Sequence, residues 1–376
     1  MTETKKELDV KALFAAVVAK NASDLFIKVG AHPTVRVTGK LEVLPQTFPL
    51  TPEMVEKLFL EITTEKLRQK FVDEGEVDTA YEIFGMGRFR VNIFRQKGFI
   101  GMAMRYIRSN IPPLEELGLP MKPLQKLATA TRGLIIVTGI AGSGKSTTIA
   151  SLLNYVNKNW SKHMVTIEDP IEYLFIDEKS LIDQRELGID TYSFTSALKH
   201  AVRQSPDIIM IGEMRDKDTM EAAFNAAETG HLVISTLHSI NAFQTVERII
   251  NFFPPHQHAL LRQQLSMLLQ GIISQRLIPR HDGKGLVPAA EILLATPTIK
   301  DMLYEGKTRE LYDAIKEGNT YYGTQTFNQS IKSLYQNNFI SVEDALSFAD
   351  RPDELKLELR GITKGDSSDF DFSGKK

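Results

Sequence analysis

One short segment constrains this chain more than any other: Gly139-Ile140-Ala141-Gly142-Ser143-Gly144-Lys145-Ser146. It follows the apolar run GLIIVT and precedes KSTTIASLLNYV, whose apolar residues recur at helical spacing. A glycine-rich loop between an apolar strand and a helix is the context of a phosphate-binding loop. Glycines allow backbone N–H groups to close around phosphate oxygens, and the helix N-terminus adds favourable partial charge. The expected phosphate contacts are Gly139, Ala141, Gly142, Ser143, Gly144, Lys145, Ser146 and Thr147. Lys145 should reach the β- and γ-phosphates of ATP, and the Ser146 hydroxyl should bind Mg²⁺. A plain Gly/Ser turn is the weaker reading.

Around this loop the chain alternates. GLIIVTG, MVTIED, DIIMIGE and HLVISTLH are short and almost wholly apolar, as strands of a parallel sheet covered on both faces are. Helical spacing marks 145–157, 194–203, 216–228, 241–251 and 256–275. A hairpin at HDGKG leads into AAEILLAT, and short helices follow Pro297 as far as about Leu359. Upstream the pattern differs. Residues 7–19 and 51–71 look helical, whereas DLFIKV, PTVRVTG, EVDTAYEIF, GRFRVNIFRQ and GFIGMAMRYI look like strands. Between the blocks lies SNIPPLEELGLPMKPL, with Pro112, Pro113, Pro120 and Pro123, which reads as a semi-rigid linker. The expected divisions are an N-terminal domain over 1–109, a linker over 110–131, an α/β core over 132–296, a helical region over 297–360 and a disordered tail over 361–376. In that tail, two phenylalanines between aspartates around Asp366–Phe372 allow a docking peptide, although disorder without function is the plainer reading.

Composition excludes some chemistry. None of the 376 residues is cysteine, so disulfides, thiolate catalysis and cysteine-based zinc sites are ruled out. The formal net charge of −2 argues against a general nucleic-acid binder, and no nucleic-acid partner is expected. The N-terminus lacks the apolar core of a signal peptide, and no stretch approaches the length of a membrane span. Any membrane association is expected to come through a partner.

Two acidic residues stand at strand ends, Glu168 after MVTI and Glu213 after DIIMIG. Open parallel sheets bind ligands at the carboxyl ends of their strands. One carboxylate could orient Mg²⁺, directly or through water, and the other could position or deprotonate the attacking water. Glu213 is the preferred base, and the sequence leaves the assignment open. The alternative is a pair of solvated acids. His238 closes HLVISTLH at the same edge and could donate a hydrogen bond to the γ-phosphate. His231 opens that strand, at the opposite end, so one metal ion cannot hold both rings. In GRFRVNIFRQ, Arg88 and Arg90 share a face with Phe89 and Val91 opposite. Spacing alone makes that a solvated sheet face.

Taken together these motifs resemble the secretion and type IV pilus motor ATPases, and within them the pilus-retraction branch of PilT and PilU. NASDLFIKVGAHPTVRVTGKL is similar to the family's N-terminal opening and GRFRVNIFRQ to its arginine strand. GIAGSGKST, TIEDPIEY, DIIMIGEMRD and ETGHLVISTLH resemble its phosphate loop, acidic box, Walker B segment and histidine box. The resemblance implies a RecA-like P-loop core, a smaller PAS-like α+β N-terminal domain and a helical C-terminal part, assembled as a ring hexamer. It also implies that ATP sits between one subunit's core and an N-terminal domain, with Arg90 and Arg105 as nucleotide-contacting arginines. The absent four-cysteine zinc element favours retraction over extension. SDLFIKVG, RIINFFP and the tail are nearer PilU, and Lys300 stands where the PilT signature has arginine. The implied role is a cytoplasmic motor, peripheral at the inner membrane, which pulls on the pilus platform protein and assists a PilT-like motor. An independent PilT-like motor and an ATP-binding scaffold with little turnover are the alternatives.

Overall fold

The computed structural model describes residues 8–45, 47–83, 86–107 and 110–360. Two compact units share the chain. One is residues 1–111 with Pro170–Phe175 and Gly188–Asp190; the other is the remainder.

The N-terminal unit is a sheet backed by helices. Its strands are β1 (Asp24–Lys28), β2 (Thr34–Val37), β3 (Lys40–Val43), β4 (Glu76–Ile83), β5 (Gly87–Gln96) and β6 (Phe99–Ile107). They pair antiparallel in the order β3-β2-β1-β6-β5-β4. Alternation decides what each face carries. Phe89, Val91 and Ile93 of β5 are buried with Met102 and Met104 of β6, beneath α1 (Val10–Ala19) and α2 (Pro52–Ile62). Arg90 lies on the opposite face, directly across from Arg105 of β6. The helix expected over 51–71 is in fact two, α2 and α3 (Glu65–Glu74). Thr63 is extended, and Thr64 restarts the helix by accepting the Leu67 N–H. Arg68 then donates to the carbonyls of Leu60 and Thr63, satisfying the end of α2.

The second unit is built on β7 (Gly133–Thr138), β8 (His163–Glu168), β9 (Leu181–Glu186), β10 (Ile208–Ile211), β11 (Leu232–Leu237), β12 (Leu269–Pro279) and β13 (Leu286–Leu294). Their order is β13-β12-β7-β11-β10-β8-β9, parallel except for β13. Every residue of β7, β10 and β11 is buried, which explains why their sequences lack alternation. The covering helices are α4 (Met121–Ala128), α5 (Lys145–Asn159), α6 (Phe194–Ala201), α7 (Lys217–Glu228), α8 (Ala242–Asn251) and α9 (His258–Leu268). The proline-rich stretch is ordered rather than a spacer. Its Leu114 is buried, α4 follows, and Pro112 O accepts from Ser151 on α5 at 2.7 Å.

The helix expected over 256–275 stops at Leu268, and β12 takes over. Leu269 is already extended and pairs with Leu134 of β7, and Gly271 lets the new strand pack closely. A Cβ there would lie 2.8 Å from both Leu293 O and a Leu127 methyl, so the backbone is pressed into the sheet. Ile272 and Ile273 follow, both fully buried and both better suited to strand. Edge strand β9 was also not foreseen, because LIDQRE carries little apolar signal. The C-terminal helices are α10 (Pro297–Glu305), α11 (Leu311–Glu317), α12 (Asn319–Tyr322), α13 (Phe327–Gln336), α14 (Val342–Phe348) and α15 (Pro352–Leu359). Phe327, Ile331, Ala345 and Leu355 from this group form a core with Ile278, Val287 and Ala289 of the β12–β13 hairpin. The tail over 361–376 and Arg108 lie outside the described residues.

Candidate functional site

The loop from Gly139 to Gly144 joins β7 to α5. Gly139 has φ +147°, and a Cβ on it would sit 2.5 Å from Gln275 O of β12 and against Ser143. Only glycine fits there. Gly144, at φ +90°, caps α5, so Lys145, Ser146 and Thr147 supply the first turn and its outward N–H groups. Lys145 Nζ donates to the carbonyls of Gly139 and Ile140, both at 2.9 Å, which gathers the ammonium onto the loop. The Ser143 hydroxyl is buried, the residue being only 2 % exposed, and has no hydrogen-bond partner among the described residues. A glycine-lined cradle with an orphaned hydroxyl and a helix N-terminus suits phosphate oxygens.

The strand order arranges the other groups. From the loop at the end of β7, the neighbouring carboxyl ends belong to β11, β10 and β8. They carry His238, Glu213 and Glu168 respectively. Strands are about 4.8 Å apart, so Glu213 is roughly 10 Å along the edge from the loop strand and Glu168 roughly 14 Å. Gly212 makes the approach of β10 to β8 possible. Its N–H donates to Ile167 O at 2.7 Å, and its α-carbon faces the Glu168 backbone.

Glu213 is mostly buried, and its Oε2 lies 3.5 Å from His238 Nε2. Its other oxygen pairs with the Arg215 guanidinium, a contact that raises the pKa of Arg215. Glu168 is 6 % exposed and accepts from Thr166 Oγ1 at 2.7 Å and Gln184 Nε2 at 3.2 Å. The two acids therefore differ. Glu168 is locked by neutral donors of its own sheet, while Glu213 faces a half-exposed imidazole. Arg248 of α8 donates to His238 O at 2.7 Å. His231 stays at the other end of β11, where its Nδ1 donates to Ala226 O at 2.9 Å.

In the N-terminal unit, Arg90 and Arg105 share a shallow pocket with Asp24, Asp78 and Asn92. Arg105 Nε donates to Asp24 Oδ1 at 3.0 Å, and its side chain remains largely exposed. Sequence reasoning missed Arg215, Thr166, Gln184 and Arg248. Arg215 had a signal, standing two positions after Glu213 and so able to fold back upon it; the others are set by tertiary contacts.

A model of the type II/IV secretion system proteins matches residues 3–338. The chain belongs to that family. It is 43 % identical to the type IV pilus ATPase PilU of Pseudomonas aeruginosa over 97 % of this chain and 94 % of that one. It is 40 % identical to the retraction ATPase PilT of the same organism over 93 % of this chain and 100 % of that one. A crystal structure of the pilus retraction motor PilT with bound ADP matches with TM-score 0.85 and 44 % identity, covering 93 % of this chain and 99 % of that chain. The fold is thus that of a secretion ATPase, a RecA-like core with a smaller PAS-like N-terminal domain and a helical C-terminal region. Among the described residues no helix is long and apolar enough to cross a membrane.

Proposed function

We infer that this chain is an ATP-hydrolysing motor of type IV pilus retraction, acting as a PilU-type partner of a PilT-like motor. The observation that carries the reading is the row of groups along one sheet edge: phosphate loop, His238, Glu213 and Glu168, in a chain similar to PilU over nearly its whole length. In this reading the loop N–H groups and Lys145 bind the phosphates. Glu213 orients and deprotonates the attacking water, and His238 donates to the γ-phosphoryl oxygens and exchanges that contact for Glu213 after cleavage. Arg215 keeps the Glu213 carboxylate aimed. Mg²⁺ would be held by Ser146, with Glu168 and Glu213 reached directly or through water, and would supply charge neutralisation at the phosphates.

The residue ranges expected from sequence then take separate roles: 132–296 hydrolyses, 1–109 senses nucleotide, and 110–131 and 297–360 brace the core. Arg90 and Arg105 would compensate phosphate charge on nucleotide held by a neighbouring copy in a hexameric ring. Such arginines are worth on the order of 10³–10⁵ in rate in related NTPases. The ring would work in the cytoplasm against the inner-membrane platform protein of the pilus. Pilus retraction measured in cells holding this chain alone, and then with a PilT-type motor, tests the role. Retraction only with both supports the auxiliary reading; full retraction by this chain alone replaces it with an independent motor.

A further inference from the structure

The turn from β11 into α8 is fixed residue by residue. His238 O accepts from Arg248. Ser239 Oγ shares a hydrogen bond with Thr245 Oγ1 at 2.7 Å. Ile240 O accepts from Arg276 Nη2 at 3.4 Å. Asn241 caps α8 by accepting the Gln244 N–H at 2.9 Å. Ala242 N–H donates to Glu291 Oε1 at 2.6 Å. Two of these anchors, Arg276 and Glu291, come from the β12–β13 hairpin, far away in sequence.

Glu291 is 3 % exposed. The Asn241 cap meets the Gln244 N–H, and the Ala242 N–H of the same first turn is met instead by this buried carboxylate. The charged groups facing Glu291 are Arg276 of β12 and Asp350, just beyond α14, with the α8 N-terminus as third neighbour. Arg276 also pairs with Asp350, donates to Phe348 O at 2.5 Å and lies 3.8 Å over the Phe327 ring. One guanidinium therefore joins the histidine turn to the C-terminal helices. The preceding residue, Gln275, presses its carbonyl against Gly139 of the phosphate loop.

We propose that Glu291 is a positioning residue for ATP hydrolysis, holding with Arg276 the turn that aims His238 at Glu213, and that Asp350 links this turn to the C-terminal helices. The proposal rests on the role given to His238 above. An ionised carboxylate grips the Ala242 N–H more strongly than a neutral one does. Burial, aided by Asp350 and opposed by the Ala242 amide and Arg276, raises the pKa of Glu291 to about 7. The turn should therefore tighten as pH rises through neutrality.

The test is steady-state ATP hydrolysis by the full chain across this pH range, with thermal unfolding as control. Glu291→Gln keeps shape and an acceptor oxygen but cannot ionise. It should leave KM for ATP within about twofold and lower kcat at alkaline pH by about ten- to a hundredfold. Its kcat should also lose the part of the neutral inflection that Glu291 contributes in wild type. Asp350→Asn should move that inflection to lower pH, because a neighbouring negative charge is gone. Unchanged kcat and inflection in Glu291→Gln, or an unmoved inflection in Asp350→Asn, overturns the proposal. If Glu291→Gln does not fold, the partly exposed Asp350 decides alone. His238→Ala separates the two levels: full activity there overturns the site reading, whereas impaired activity there with normal Glu291→Gln overturns only the positioning role.

Discussion

Lys145 Nζ donates to two carbonyls of its own loop, so its charge is held where phosphate oxygens would lie. Replacement by alanine removes that charge from a loop whose other donors are neutral backbone amides and hydroxyls. Hydrolysis by Lys145→Ala should fall by on the order of 10³ or more, with unfolding temperature unchanged, measured by phosphate release and a thermal melt. Wild-type turnover would contradict the assignment. The loop was legible in sequence because phosphate binding needs contiguous residues with fixed backbone demands, of which Gly139 is the clearest case. His238, Glu213 and Glu168 were legible as strand-end residues once the parallel sheet was inferred. Glu291 was not. Its partner Ala242 is 49 positions away, and AAEILLAT gives no hint which face the glutamate takes.

At the scale of elements, the N-terminal unit depends on α1 meeting the sheet. Phe14 is fully buried, with its ring centroid 4.5 Å from Phe89 and 5.5 Å from Tyr81. Phe14→Ala should destabilise that unit by about 3–5 kcal/mol, seen as an early transition in denaturant while nucleotide binding by isolated chains persists. A single unshifted transition would contradict it. Apolar runs identified most of the strands, because buried parallel strands and alternating antiparallel ones both leave a pattern. The failures had local physical causes. A threonine pair split one expected helix with side-chain hydrogen bonds, and pairing with β7 from Leu269 onward took the end of another into β12. Neither effect shows in the spacing of apolar residues.

For the whole molecule, a buried acid sets a pH dependence. The folded pKa of Glu291, about 7, lies above the ordinary 4.5. Its contribution to stability is complete below pH 4.5 and is lost as pH rises through 7, amounting to a few kcal/mol. Denaturant midpoints should therefore fall less over this window in Glu291→Gln than in wild type; parallel curves would contradict the prediction. Hydrolysis at the sheet edge is what the proposed motor rests on, and Glu213 is the group proposed to act there. The most direct measurement is ATP turnover and ATP binding on the same samples of wild type and Glu213→Gln. The account predicts that both bind and that the variant turns over about 10²–10⁴ times more slowly. Equal turnover, or failure of the wild-type chain to bind ATP, would contradict it.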